Sequence, residues 1–281
     1  MAEIRRDEGS FPTADNLKLY WVSAVPAEPV AHLALVHGYA DHIGRYAHVI
    51  DHFAAQGYAV HGFDVRGHGR SEGRRGHVQH FSDYLDDLSR FLERVKIAAG
   101  GKPVFLMGHS HGGLLAATYA LGQPTDLAGM ILTSPFFGLA FKPPAIKVAA
   151  GKLLAHIAPG LHMGNELKSE SLTRDQAFVA AHRIDEKVFK VTTPGWFVAA
   201  LAAQARVLAE ASRVQLPLAM FVGGSDPIAD VKAAQRFFDA AGSADKTFKA
   251  YDGALHEVLN ETNRDEVFAD IGAWLGKHLT A

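Results

Sequence analysis

The sequence predicts an α/β protein: a mostly parallel sheet with helices on both faces, interrupted once by a helical insertion. Three observations carry this. Short apolar or β-branched runs alternate with longer amphipathic segments along most of the chain. The runs are apolar nearly throughout, as strands covered on both faces must be. Between about Phe136 and Val214 the alternation stops, and no strand pattern is found there.

Taken in order, Glu3–Val25 reads as a hairpin around Thr13–Asn16 and supplies an antiparallel edge. His32–His37 (HLALVH), Ala59–Phe63, Pro103–Met107, Gly129–Thr133 and Leu218–Val222 read as buried strands, with Thr247–Tyr251 a weaker one. Arg45–Gln56, Phe81–Ala99, His111–Gly122, Ala229–Ala241 and Arg264–His278 have helical spacing. Within the break, Pro143-Pro144, Pro159-Gly160 and Pro194-Gly195 separate helical segments, of which Ala145–Ile157 and Trp196–Val214 are rich in Ala, Leu, Val and Phe. Helices with no strand between them cannot each serve a βαβ crossover, so this stretch reads as a cap. The competing reading is that the helices cover a larger sheet. The expected division is a core of residues 1–136 and 215–281 with a cap at 137–214 inserted in it.

With 28 Lys+Arg against 30 Asp+Glu, the formal charge is −2, and nothing points to nucleic acid as a partner. There is no cysteine, which excludes disulfides, Cys-ligated zinc and a thiol nucleophile. The opening MAEIRRDEGS has no apolar signal core, and Ala rather than Gly follows Met. Apolar stretches such as Pro194–Leu208 are interrupted by Gly, Gln and Arg too early for a membrane span. The expectation is a cytoplasmic protein.

Gly108-His109-Ser110-His111-Gly112 is a G-x-S-x-G motif set between a predicted strand and a predicted helix. That is the context of the nucleophile elbow of the α/β-hydrolase fold, where a strained turn projects the serine Oγ and small neighbours let strand and helix approach. The N-terminal amides of the following helix favour negative charge at the site. A serine needs a base, and a base needs an orienting acid. Among 16 histidines, His256 stands out because it follows the last predicted strand, at the sheet's carboxyl edge. Asp226 follows the strand Leu218–Val222 at the same edge, which gives the order Ser110, Asp226, His256. Asp230 competes as the acid, but it stands where a helix cap is expected anyway. His48 and His52 are spaced as helical metal ligands, yet no third ligand accompanies them, so no metal and no cofactor are expected. For the oxyanion, the backbone N–H of His111 is one expected donor, and that of Tyr39, after His37-Gly38, is the other.

These stretches resemble the monoacylglycerol lipase and lysophospholipase family. His37-Gly-Tyr-Ala-Asp-His-Ile-Gly-Arg-Tyr46 is similar to its HGxxEHxGRY segment, and Asp64–Gly73 to its D-x-RGHG-x-S-x-G segment. GHSHGG at Gly108–Gly113 is similar to its GHSMGG elbow, Leu172-Thr-Arg-Asp175 to its LSRD, and His256–Glu261 to its HExxNE. The resemblance runs from about Thr13 to Leu275. It implies an α/β-hydrolase fold of about eight strands with a mobile helical cap, no cofactor, the triad Ser110, Asp226 and His256, and the Tyr39 and His111 amides as oxyanion donors. His111 replaces the usual Met, and Asp41 the usual Glu. Arg66, His68 and Asp41 read as ion-pairing or scaffold residues.

The cap residues Leu153, Ile157, Trp196, Phe197 and Leu201 are the expected acyl contacts. An apolar tunnel gains roughly 0.8 kcal/mol for each acyl CH2 it buries, which favours medium or long chains. The same apolar side chains offer a route to transient contact with lipid aggregates or a membrane surface. The function expected is hydrolysis of a small lipid ester, a monoacylglycerol or similar lysolipid, through an acyl-enzyme on Ser110. A broad carboxylesterase for short acyl or aryl esters is the nearest alternative, and a non-catalytic ligand-binding relative the distant one.

Overall fold

The computed structural model describes residues 3–122, 124, 126–141, 144–165 and 167–279. Pro143 of the expected breaker and the outermost residues of the expected core lie outside the described residues. The strands, in chain order, are β1 (Ile4–Pro12), β2 (Lys18–Pro26), β3 (Ala31–Val36), β4 (Tyr58–Phe63), β5 (Val104–His109), β6 (Gly129–Thr133), β7 (Met163–Gly164), β8 (Val191–Thr192), β9 (Leu218–Gly223) and β10 (Lys246–Tyr251). Eight form one sheet in the order β1-β2-β4-β3-β5-β6-β9-β10. It is parallel from β4 to β10, while β2 runs antiparallel to both β1 and β4.

The helices are α1 (Ala47–Ala55), α2 (Phe81–Ala99), α3 (His111–Ala120), α4 (Ala145–Ile157), α5 (Gln176–Ile184), α6 (Pro194–Ala209), α7 (Val231–Ala240) and α8 (Arg264–Lys277). Because successive strand side chains point to opposite faces, each run feeds two cores. Ala34, Leu106, Leu132 and Met220 enter a core with α2, α3, α6 and α7, whereas Leu33, Phe105, Ile131 and Phe221 enter one with α1 and α8. That is why the inner parallel strands read as largely apolar, whereas β10 at the sheet edge, with Lys246 and Lys249, is only partly buried. The exposed β1 edge carries Arg5, Arg6, Asp7 and Glu8, charges that discourage pairing with another chain.

Two expectations need correction. The stretch between β6 and β9 is not strand-free: β7 and β8 form an antiparallel ladder of two residues each, too short to show any period in sequence. And α6 begins at Pro194 behind the Thr193 cap and stops at Ala209, followed by a 3-10 turn over Ala211–Arg213, rather than running to Val214. The α6 residues Trp196, Ala200, Ala203 and Val207 belong to the main core, while α4 buries only Gly151 and α5 only Val179.

Candidate active site

Strand β5 leads straight into Ser110, which adopts φ 52° and ψ −114° before α3 begins. Non-glycine residues seldom occupy this region, and the surroundings hold Ser110 there. Its N–H donates to Thr133 O at 2.9 Å, and its own carbonyl accepts from the amides of Leu114 and Phe136 at 3.0 Å each. Close approach needs the flanking glycines: a Cβ on Gly112 would stand 2.3 Å from Val36 O, and one on Gly108 2.4 Å from Gly112 O.

The loop after β10 brings His256 over this turn, with Nε2 at 2.8 Å from Ser110 Oγ. Its Nδ1 lies 2.7 Å from Asp226 Oδ2, on the loop after β9. Asp226 Oδ1 accepts from the amides of Ile228 (2.8 Å) and Ala229 (3.0 Å), which fixes the carboxylate plane. Burial acts to raise the Asp226 pKa, but the His256 charge and these hydrogen bonds prevail and hold it below the ordinary range. For His256, burial acts to lower the pKa, and the Asp226 carboxylate outweighs it, with Glu257 and Asp41 adding to the rise. Asp230 turns elsewhere: it caps α7 by accepting from Lys232 N at 2.9 Å.

A Cβ on Gly38 would sit 3.5 Å from Ser110 Cβ, so the Gly38–Tyr39 peptide lies beside the serine. His37 anchors this loop. Its Nε2 accepts from Val65 N at 3.0 Å, so the proton is on Nδ1, which donates to Gly38 O at 2.7 Å. The His111 amide opens α3 directly after the serine. The structure thus brings Ser110, His256 and Asp226 together, with Gly38 and the first residue of α3 beside the serine.

Beside them lies a buried ionic cluster that sequence reasoning did not assemble. Arg45 grips Glu257 with two bonds of 2.8 Å and Asp41 with one of 3.0 Å, and Tyr46 OH donates to Asp41 at 3.0 Å. Burial works against the charge on Glu257, yet the Arg45 guanidinium holds its carboxyl well below the usual range. Glu261 accepts from Leu255 N at 2.8 Å and Arg174 Nε at 2.9 Å, tying the His256 loop to the insertion. The charged partners all lie in the motifs quoted for the resemblance, but the pairing of Arg45 with Glu257 and of Arg174 with Glu261 spans 212 and 87 positions and leaves no local signal. Arg66 is salt-bridged to Asp87 and Asp15, and His48 bonds Leu259 O at 3.0 Å.

The expected acyl contacts are scattered. Leu153 and Ile157 are 62% and 71% exposed. The physical reason is that α4 packs against α6, with Gly151 facing the Phe197 ring, and buries none of its large apolar side chains. Phe197 and Leu201 are half-buried. Trp196 is buried, stacked on the Tyr39 ring with centroids 3.7 Å apart. A cavity of about 250 Å³ opens between Tyr39, Asp41, Arg45 and Glu257 on one side and Asn165 and Lys190 on the other.

This sheet order, with an imidazole between a strained serine and a buried carboxylate, defines a serine hydrolase of the α/β-hydrolase type. The chain belongs to the family described as serine aminopeptidase, S33, whose model matches residues 27–263. It is 32% identical to a monoacylglycerol lipase of Mycolicibacterium smegmatis, over 99% of this chain and all of that one. Among solved structures it is similar to the monoacylglycerol lipase of Paleococcus ferrophilus (29% identity, TM-score 0.83, 98% of this chain and 99% of that one). It is also similar to a soluble variant of the monoglyceride lipase of Saccharomyces cerevisiae in complex with a substrate analog (25% identity, TM-score 0.86, 99% and 96%).

Proposed function

We propose that this chain hydrolyses fatty acyl monoesters of glycerol or similar lysolipids, with Ser110 as nucleophile, His256 as general base and Asp226 as its orienting acid. The observation that carries the reading is the imidazole held between Ser110 Oγ and Asp226 Oδ2, at 2.8 and 2.7 Å. Ser110 Oγ attacks the ester carbonyl as its proton passes to His256 Nε2. The Tyr39 and His111 amides donate to the oxyanion. Collapse breaks the ester C–O bond, and His256 returns the proton to the leaving alkoxide, so glycerol departs and an acyl-enzyme remains. Water then attacks that acyl group, its proton going to His256 and on to Ser110 Oγ, and the fatty acid is freed.

The lipid preference is supported by the names of the relatives and by apolar side chains on the insertion. We assign residues 137–214 as a cap and the remainder as the catalytic core. Ile146, Leu153 and Ile157 are exposed on α4, and we assign them to transient contact with lipid aggregates. Among the described residues no helix is long and apolar enough to cross a membrane. A cytoplasmic setting suits the absence of cysteine.

The test is a chain-length series of p-nitrophenyl esters, followed by monoacylglycerol against lysophosphatidylcholine and an aminoacyl anilide. The expected result is turnover that rises with acyl length and extends to monoacylglycerol, and that is lost in Ser110→Ala. Activity confined to short acyl chains would favour a general carboxylesterase, and activity on the anilide alone an aminopeptidase.

A further inference from the structure

The His111 side chain has no part in the acyl-transfer steps, yet it lies wholly buried behind the nucleophile. Trp196 Nε1 donates to its Nε2 at 3.3 Å. An acceptor at Nε2 places the ring proton on Nδ1, and Nδ1 is buried with no hydrogen-bond partner among the described residues. Burying an unpaired N–H costs stability, so packing alone does not account for an imidazole here. The indole it holds lies on the Tyr39 ring, with centroids 3.7 Å apart and planes 25° apart. Tyr39 OH in turn donates toward Val191 O (3.2 Å) and Gly76 O (3.3 Å). Thr193, the cap of α6, donates to the same Gly76 carbonyl at 2.9 Å. His111, Trp196 and Tyr39 therefore form one train from the elbow helix through α6 to the loop beside Ser110.

We propose that the His111 imidazole is a positioning residue: by accepting from Trp196 it locks the indole against the Tyr39 ring, and so holds the Tyr39 amide at the oxyanion. This rests on the reading of Ser110 as nucleophile and of the Tyr39 amide as a donor. The acceptor matters, rather than bulk at this site. Methionine fills similar space without accepting well, whereas glutamine carries an amide oxygen near the place of Nε2.

The test compares wild type, His111→Met, His111→Gln, Trp196→Phe and the double variant His111→Met/Trp196→Phe on p-nitrophenyl octanoate, with kcat and KM separated. Loss of one oriented hydrogen bond should lower kcat about tenfold in His111→Met, with KM little changed. His111→Gln should recover most of that loss, and the double variant should be no slower than Trp196→Phe alone. The tryptophan emission difference between wild type and His111→Met should vanish in the Trp196→Phe background. His111→Met exchanges the unpaired Nδ1–H for an indole N–H without its acceptor, so its melting temperature should stay close to that of wild type and its kcat loss is not one of unfolding. A kcat within about twofold of wild type in His111→Met, or losses that multiply in the double variant, would overturn the inference. Should His111→Met fail to fold, Trp196→Phe and His111→Gln decide: the inference falls if Trp196→Phe keeps wild-type kcat or His111→Gln loses as much as Trp196→Phe. Labelling by a fluorophosphonate separates the two levels. A wild type that does not label at Ser110 overturns the nucleophile reading itself, whereas normal labelling with an unaffected His111→Met overturns only the role of the imidazole.

Discussion

Asp226 and Asp230 differ by one helical turn in sequence, and their surroundings give them different work. Asp226 Oδ2 faces His256 and its Oδ1 is held by two amides, whereas Asp230 satisfies the first turn of α7. Asp226→Asn should cut kcat by about 10⁴, as the amide favours the wrong imidazole tautomer. Asp230→Asn should leave kcat near wild type, since asparagine caps a helix about as well. The two variants also part in pH dependence. His256 must be neutral to accept the serine proton, and its pKa is raised above the ordinary 6.5. Wild-type kcat/KM should therefore fall as pH drops through a value above 6.5, and Asp226→Asn should move that limb to lower pH. An unmoved limb in Asp226→Asn would show that another group orients the base. The neighbouring His109 does not compete for the proton: burial, then the His256 charge, push it down to about 4.

At the level of elements, the elbow depends on β5, α3 and β3 meeting more closely than any side chain permits. Gly112→Ala would drive a Cβ to 2.3 Å from Val36 O. The backbone there cannot yield as a flexible side chain would, so a loss of about 1–3 kcal/mol in stability is expected, together with a large loss of turnover. Chemical denaturation and kcat measured on one preparation check both. The inner parallel strands are legible to within a residue or two, because burial on two faces writes a largely apolar run, while the edge strand β10, with Lys246 and Lys249, gives a weaker signal. Helix α4 is equally legible, its bounds set by Pro144 before it and Pro159-Gly160 after it. The fate of the apolar side chains is not. Trp196 and Leu153 come from segments of similar composition, but one enters the main core and the other faces outward. Composition reports that a helix is apolar without saying which neighbour covers it. Nor does a periodic pattern reveal the Arg45–Glu257 pair, whose partners stand 212 positions apart. Ser110, Asp226 and His256 could be placed in order because each follows a strand at one edge of the sheet, and topology then does the joining.

Over the whole molecule, several imidazoles are folded away uncharged. Burial pushes His61 and His111 down to about 3 and His109 to about 4, against 6.5 when unfolded. The unfolded chain therefore binds more protons than the folded one between pH 6.5 and about 4. Stability is fully present above pH 6.5 and is lost as pH falls through that window, by roughly 1.4 kcal/mol per pH unit for each such group. Urea midpoints at pH 7.5, 5.5 and 4.5 should decline in that order, and a flat series would show that these rings accept protons without unfolding. The left-handed backbone at Ser110 has a consequence of an evolutionary kind. Glycine at that position would relax the turn and strengthen the fold while abolishing the nucleophile. A lineage freed from selection for turnover is thus expected to drift toward glycine there first, leaving descendants whose elbow is intact in outline and empty at its centre.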